Sequence, residues 1–376
     1  MTQSIVGMDV SKHSLDVVLL HPEQKHYQVV ENNLAGFEYL SSWLQAKGCE
    51  QVHICLEATG QYGYAAAEYL YLCGYDVSIV NPARIKAYAT SRLKRNKTDK
   101  ADALLIAEFC QKEKIALWSP PKPVFKALKD MVHCLDDLKA MRQQERNRME
   151  FMASDPLVES MRLEHLTWLD EKIKTLRAAI HKHIQQDPQL KHHSALLISI
   201  PGIGELTAAR LLAEIRDFHE FRNARQLTAY AGLNPRQYQS GSSVYRKSRL
   251  SKTGNGNLRH ALYLPAIVAK NHNPIIRAFC QRLTDRGLSK MAVVGAAMRK
   301  LLVLAYGVIK TDSTFDPEFA PKRGVYGLTN KTVFTDFESN GFLASQRCIL
   351  HQSLRGYNPK KLGSRRLRRN PSDIML

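Results

Sequence analysis

The sequence predicts a mixed α/β domain followed by a mostly α-helical remainder. Three observations carry that expectation. Over roughly the first 120 residues, short apolar runs of strand length alternate with segments of helical spacing. Beyond Pro120-Pro121 apolar residues recur at intervals of three and four instead. Element-stopping pairs, Asn81-Pro82, Pro120-Pro121, Asp155-Pro156 and Asp187-Pro188, fall where the pattern changes.

The elements follow in order. Ile5–Asp9 and Leu15–Leu20 read as two strands joined by a short polar turn, and His26–Val30 as a third. Leu34–Lys47 has helical spacing through Leu34, Phe37, Leu40, Trp43 and Leu44. Gln51–Leu56 is strand-like, Tyr62–Leu72 helical and Tyr75–Val80 strand-like. Three strands, then helix, strand, helix, strand, helix, is the order of a ribonuclease-H-like fold; a doubly wound nucleotide-binding domain does not begin with such a hairpin.

Leu128, Met131, Leu135 and Leu138, then Leu166, Leu169, Ile173, Leu176 and Ile180, mark two long amphipathic helices, expected as an antiparallel coiled-coil hairpin. A third, mostly α unit contains Pro201-Gly202-Ile203-Gly204, a helix over Glu205–Ile215, a polar, Gly-rich stretch over about 234–256, and helices over Leu258–Ala269 and Ser289–Ile309. The expected domains are 1–120, 121–193 and 194–315, with 316–376 a basic, loosely ordered tail ending in Lys360, Lys361, Arg365, Arg366, Arg368 and Arg369.

Composition narrows the function. Lys and Arg number 54 against 35 Asp and Glu, a formal charge of +19. That excess points to a polyanionic partner. No apolar run reaches the ~18 residues of a membrane span. The opening MTQSIVGMDVSK has neither the basic region nor the apolar core of a signal peptide. Seven scattered cysteines, with no CxxC, argue against a disulfide framework and against structural zinc. A cytoplasmic, nucleoid-associated protein with no membrane partner is the expectation.

Four carboxylates stand where a metal site needs them. Asp9 and Glu57 end strands, and Asp99 and Asp102, three apart on a helix, share a face. Converging carboxylates repel unless a divalent cation lies between them, and paired Mg²⁺ ions suit phosphoryl transfer. Each acid alone is more simply a turn or cap residue; it is the set of four in this order that favours metal.

Cations flank these acids. Arg84, Lys86, Arg92, Lys94, Arg95, Lys97 and Lys100 surround the paired aspartates. From Phe221 to Thr284 there is no Asp or Glu, yet Arg222, Arg225, Arg236, Arg246, Lys247, Arg249, Lys252, Arg259, Lys270, Arg277 and Arg282 all occur. A solvated face mixes signs, so phosphate contact is the natural reading. Gly202 and Gly204, before a helix, resemble a helix-hairpin-helix turn whose amides can hold a phosphate. Within the anion-free stretch lies Gln239-Ser240-Gly241-Ser242-Ser243. Ser240, between Arg236 and Arg246, suits a nucleophile attacking phosphorus; Ser242, Ser243, Ser248, Ser251, Tyr238 and Tyr245 are alternatives, and a plain loop is the bland reading.

Together these motifs resemble the insertion-sequence-110 family of transposases, with spacing most similar to its 1111 branch. GMDVSK with Asp9, LEATG with Glu57 and KTDKADA with Asp99 and Asp102 resemble the DEDD tetrad. The Pro-Gly-Ile-Gly turn, Ala231-Gly232-Leu233-Asn234-Pro235 and Gln239-Ser240-Gly241 resemble the carboxy-terminal domain. The resemblance covers about 1–315. It implies a RuvC-like domain binding Mg²⁺ through Asp9, Glu57, Asp99 and Asp102, and Ser240 as a nucleophile forming a phosphoserine link to DNA. It also implies a homodimer or tetramer assembled through the helical hairpin, active-site halves drawn from different subunits, and a structured guide RNA bridging donor and target DNA. Rival expectations are a site-specific invertase of the pilin-inversion type, a metal-only RuvC-like nuclease, and a non-catalytic binding protein.

Overall fold

The protein is described from a computed structural model, which covers residues 4–318 apart from 22–23, 50, 59, 61, 93–97, 152–154 and 241–243; over 238–240 and 244–247 it describes the backbone alone. The proposed tail beyond residue 318 lies outside the described residues, as do Lys94, Arg95 and Lys97. The chain divides into two compact units: 1–194 with 204–222, and 195–203 with 223–376.

The first unit opens with β1 (Ser4–Val10), β2 (Ser14–His21) and β3 (Gln24–Glu31). After α1 (Leu34–Ala46) come β4 (Val52–Glu57), α2 (Tyr64–Leu72), β5 (Asp76–Val80), α3 (Pro82–Ser91) and α4 (Asp99–Lys112). The sheet order is β3-β2-β1-β4-β5. β1, β2 and β3 form an antiparallel meander, while β4 runs parallel to both β1 and β5. This is the order and orientation that the strand pattern of the sequence led us to expect.

Both faces of the central strands are apolar, so each needs a cover. On one face, Phe37, Leu40 and Leu44 of α1 and Ala66, Ala67 and Leu70 of α2 pack on Val6, Met8, Val17, Leu19, Ile54 and Leu56. On the other, Ile85 of α3 and Ala103, Ile106, Ala107 and Cys110 of α4 pack on Ile5, Val18, Leu20 and Cys55. Gly7 makes the second packing possible. A Cβ built on it would lie 2.3 Å from both the Ala103 carbonyl oxygen and the Ala107 nitrogen. α4 therefore rests its backbone directly on β1.

α5 (Pro123–Met149) and α6 (Pro156–Gln186) form the expected helical hairpin. His183 bonds the Val124 carbonyl at 2.9 Å and Arg142 pairs with Asp170 at 2.9 Å, contacts that fix an antiparallel register. Leu128, Val132 and Leu135 face Leu169, Ile173 and Ile180. Knobs-into-holes packing along the whole length is not what the burial indicates: the distal half exposes Met141, Phe151, Leu157, Met161 and Trp168. α7 (Pro188–Ile198) leads to the Pro201–Gly204 turn and α8 (Glu205–Glu214). α8 packs on α5 through Arg210–Asp136 and a 2.7 Å His133–Glu214 contact, which is why 204–222 group with the first unit.

In the second unit, α9 (Ala224–Tyr230) precedes β6 (Pro235–Ser240) and β7 (Val244–Leu250), then α10 (Gly256–His272), α11 (Pro274–Asp285) and α12 (Lys290–Thr311) follow. The antiparallel β6–β7 ribbon lies within the stretch that the sequence marked only as polar and Gly-rich. Its many polar residues give no clean apolar alternation to announce a strand. The sequence reading also missed α9, of 7 residues, and α11, of 12. Asn273, wholly buried, joins α10 to α11, its side chain accepting the Ile276 N–H at 3.1 Å. Gly202 has φ +108°, and a Cβ there would meet that of Ala269 at 2.6 Å, so the glycine is required twice over. α12 is long and apolar enough to cross a membrane, but Val293, Ala297, Leu301, Leu302 and Ala305 are buried within this unit.

The seating of α4 is testable. Gly7→Ala must push a helix backbone off the sheet, so it should cost at least about 3 kcal/mol. Urea denaturation checks this; a loss under about 1 kcal/mol would mean that α4 can shift freely.

Candidate metal and nucleic-acid site

β1 and β4 end side by side: Met8 pairs with Leu56, which leaves Asp9 and Glu57 at the two adjacent strand ends. Strand alternation puts Asp9 on the face of Gly7 and Glu57 on the face of Cys55, and α4 covers that face. Thr98 caps α4, its hydroxyl accepting the Ala101 N–H at 3.2 Å. Asp99 and Asp102 then occupy the first helical turn, where exposed amides favour acids. Asp99 is exposed; Asp9, Glu57 and Asp102 are half-buried.

Asp9 senses its acidic neighbours. Burial raises the Asp9 carboxyl above its ordinary range, and the charges of Asp102, Asp99 and Asp16 raise it further. The Val10 N–H, 3.1 Å from Oδ1, opposes this. The tetrad is not drawn tight: among the described residues, the group of three or more ligand atoms lying within 4.8 Å of one another is His53, Cys55 and Cys110, not the carboxylates. Asp9, Asp99 and Asp102 thus share a field without sharing a point. Their hard oxygen donors fit a divalent cation.

Sequence reasoning missed Asp16. It pairs across the sheet with Asp9, is buried, and accepts a hydrogen bond from Tyr27. That bond, which the Tyr27 hydroxyl surrenders on ionising, pushes its pKa up to about 12. The Lys100 ammonium stands 4.7 Å from the Tyr27 ring. The signal was present: a lone acid inside the apolar run Leu15–Leu20 needs a partner.

The cysteines need a correction. Cys55 on β4 and Cys110 on α4 form a disulfide, where unpaired thiols were expected. The two are 55 residues apart and meet only because α4 covers β4, so spacing could not reveal them. His53 adjoins both: its Nδ1 is 3.4 Å from Cys110 Sγ and its Nε2 3.8 Å from Cys55 Sγ. Nε2 also meets Ser78 Oγ at 2.8 Å.

The expected phosphate contacts divide. Arg92 pairs with Glu108 at 3.2 Å and lies over the Tyr88 ring. Arg236 and Arg249 are exposed and stand directly opposite each other on the β6–β7 ribbon. Like charges so paired cost stability, which an anion laid across them would offset. Lys252 is exposed and holds a left-handed φ of +56°. Arg259, by contrast, is committed to the fold, donating to the Ala231 and Gly254 carbonyls at 3.0 and 3.2 Å. Ser248 donates to the Arg236 carbonyl. Ser240 ends β6, opposite Val244; its side chain, and those of Tyr238, Tyr245, Arg246 and Lys247, lie outside the described residues, as do Ser242 and Ser243. Gly202 and Gly204 lie in the turn before α8, with Gly204 at its N-cap, and the structure does not establish a helix-hairpin-helix element there.

Comparison with known proteins gives a consistent picture. Residues 6–153 match a DEDD transposase model of the IS110 type, and residues 194–281 match the model described as transposase IS116/IS110/IS902 family. A pilin gene-inverting protein of Moraxella bovis is 34% identical over 319 residues, 84% of this chain and 98% of the relative. Transposases for IS1328 of Yersinia enterocolitica and IS1111A of Coxiella burnetii are each 25% identical, over 69% of this chain and 81% and 75% of theirs. Among solved structures, RuvC of T. thermophilus in complex with Holliday junction substrate aligns with a TM-score of 0.24 at 13% identity, over 31% of this chain and 99% of that one.

The raised Asp9 carboxyl has a consequence for stability. An acid whose folded pKa is raised loses stability as pH climbs from its ordinary value, 3.8, through the higher folded value. Asp9→Asn, which can still accept the Val10 N–H, should therefore raise the Tm of the metal-free protein at neutral pH. The gain should shrink towards pH 4 and should be joined by loss of Tm elevation by Mn²⁺ or Mg²⁺. Melting scans across pH check this; a lower Tm for Asp9→Asn at neutral pH would contradict it.

Proposed function

The chain belongs to the IS116/IS110/IS902 family of transposases, enzymes that recombine DNA, and from that premise we propose that it cuts and rejoins DNA through a covalent phosphoserine link. Asp9, Glu57, Asp99 and Asp102 hold divalent metal, Mg²⁺ by this reading. A cation so held supplies positive charge to the attacking and leaving oxygens of the scissile phosphate. Ser240 attacks phosphorus: an Oγ–P bond forms and the bond to the 3′ oxygen breaks, leaving a 3′-hydroxyl. The 3′-hydroxyl of the exchanged strand then attacks the phosphoserine and releases Ser240. Bond energy is conserved, so no external energy source is needed.

The chain's own cations do the binding. Arg236 and Arg249, with Arg246, Lys247 and Lys252, neutralise the phosphate backbone around Ser240. Arg92, Lys94, Arg95 and Lys97 bring that backbone to the carboxylates, and Gly202 and Gly204 offer main-chain amides to a phosphate. Residues 1–120 supply the carboxylates, 121–193 the assembly arm and 194–315 the nucleophile. The apolar residues exposed on the distal α5–α6 hairpin support assembly as a homodimer or tetramer. The basic charge of +19 suits simultaneous contact with donor DNA, target DNA and a structured guide RNA in the cytoplasm. The observation that supports the reading is the placement of Asp9 and Glu57 at adjacent strand ends, on the face covered by α4, whose first turn bears Asp99 and Asp102.

A second reading keeps the chemistry and changes its use: inversion of a fixed DNA segment. The pilin gene-inverting relative, matched over 98% of its length, favours it. One experiment separates the readings. The protein is mixed with Mg²⁺, labelled donor and target DNA and RNA transcribed from the flanking DNA, then resolved on a denaturing gel. A protein–DNA adduct is expected that vanishes in Ser240→Ala and falls at least about 100-fold in Asp102→Ala. Dependence on the RNA selects guided transposition over inversion. Cleavage surviving Ser240→Ala would leave a metal-only nuclease.

A further inference from the structure

Cys55 and Cys110 connect the two elements that carry three of the four tetrad carboxylates. Cys55 stands two residues before Glu57 on β4, and Cys110 stands in the last turns of α4, which begins at Asp99. We propose that this pair is a redox-operated tie: as a disulfide it fixes the line of α4 over the sheet, and its reduction loosens α4 and weakens the hold of the carboxylates on divalent metal. The inference rests on the tetrad reading above for its metal consequence.

The geometry gives the tie leverage. α4 touches the sheet backbone at Gly7, through Ala103 and Ala107. From Ala103 to Asp99 is about 6 Å along the helix, and from Ala103 to Cys110 about 10 Å. The apolar packing of α4 seats it on the sheet, and the Cys55–Cys110 bond adds a covalent anchor near its far end. The load is electrostatic, because Asp99 and Asp102 lie in the first turn of α4 and their charges act on Asp9 at the end of β1. Fixing Cys110 at the other end opposes that repulsion, so the carboxylates meet the metal already gathered.

The chemistry is a two-electron exchange. In closing, the two thiols reduce one peroxide: the Sγ–Sγ bond forms, the O–O bond breaks, and both thiol protons leave in two waters. In opening, a small dithiol attacks one sulfur, departs as its own disulfide, and its protons pass to the two cysteines. His53, within 4 Å of both sulfurs, is the base at hand for those transfers. Both sulfurs are buried. Exchange therefore requires opening of the last turn of α4, in which Cys110 lies three residues before the C-cap Glu113.

The test uses the full chain, oxidised with peroxide or reduced with dithiothreitol, beside the Cys55→Ala/Cys110→Ala double variant. Peptide mapping without reductant should find Cys55 joined to Cys110 in the oxidised form. That form should melt about 5–10 °C above the reduced one. Mn²⁺ should bind it about fivefold more tightly, and the double variant should show no redox dependence. Linkage is reciprocal, so saturating Mn²⁺ should lower the thiol–disulfide potential by the same factor, about 20 mV. Equal Mn²⁺ affinity in the two forms would overturn the proposal, as would failure of the bond to form in peroxide. One zinc ion per reduced chain, lost in Cys110→Ser, would also overturn it and make the cluster a metal site. No Mn²⁺ binding in either form, with the melting difference retained, would lay the fault on the tetrad reading and leave the tie purely structural.

Discussion

The contact of α4 with β1 is the constraint on which the acid-lined end depends. Helices normally pack on sheets through layers of side chains, near 10 Å apart. Here a single residue without a side chain, Gly7, removes one layer, and the backbone of Ala103 and Ala107 descends onto the strand. The N-terminal turn of α4 is thereby brought down beside the end of β1. Asp99 and Asp102 reach Asp9 because of a glycine two residues before it, not because of any attraction between the acids.

The acids themselves act against this arrangement. Asp9, half-buried, feels Asp16, Asp99 and Asp102 at once. Three features offset the repulsion. The capped start of α4 presents amides to Asp99 and Asp102. Tyr27 donates to Asp16, and Lys100 lies over Tyr27. The apolar contacts of Ile106 and Ala107 with Ile5, Val18 and Leu20 hold the rest of the helix down. A fold that gathers like charges and holds them with packing elsewhere has stored its cost at one place, where a cation can relieve it.

Much of this was legible in the sequence, for identifiable reasons. The sheet strands are buried on one or both faces, so Val, Ile and Leu mark them; the long helices repeat apolar residues at three and four. Asp9 and Glu57 stood out because they ended apolar runs, and Asp99 and Asp102 because their spacing puts both on one helix face. What escaped lacked a local signal. Asp16 sits inside such a run and was taken with its neighbours. The β6–β7 ribbon pairs Arg236 with Arg249 and is rich in polar residues, so no clean apolar alternation marks it in the sequence. Cys55 and Cys110 are related by tertiary packing across 55 residues. Arg259 looked like ten other cations in an anion-free stretch; only its bonds to the Ala231 and Gly254 carbonyls distinguish it.

The two kinds of charge make separate demands on one substrate. Carboxylates gathered around Asp9 repel a phosphate, so they cannot recruit DNA unaided. The Arg236–Arg249 pair on the ribbon sets two like charges opposite each other, an arrangement that an anion would relieve. Each half is destabilised by its own charges and relieved by something the other half's chemistry requires: metal for the acids, polyanion for the cations. On the proposed reading, metal would relieve the acids and a polyanion the cations, so a complex with nucleic acid would satisfy both fields.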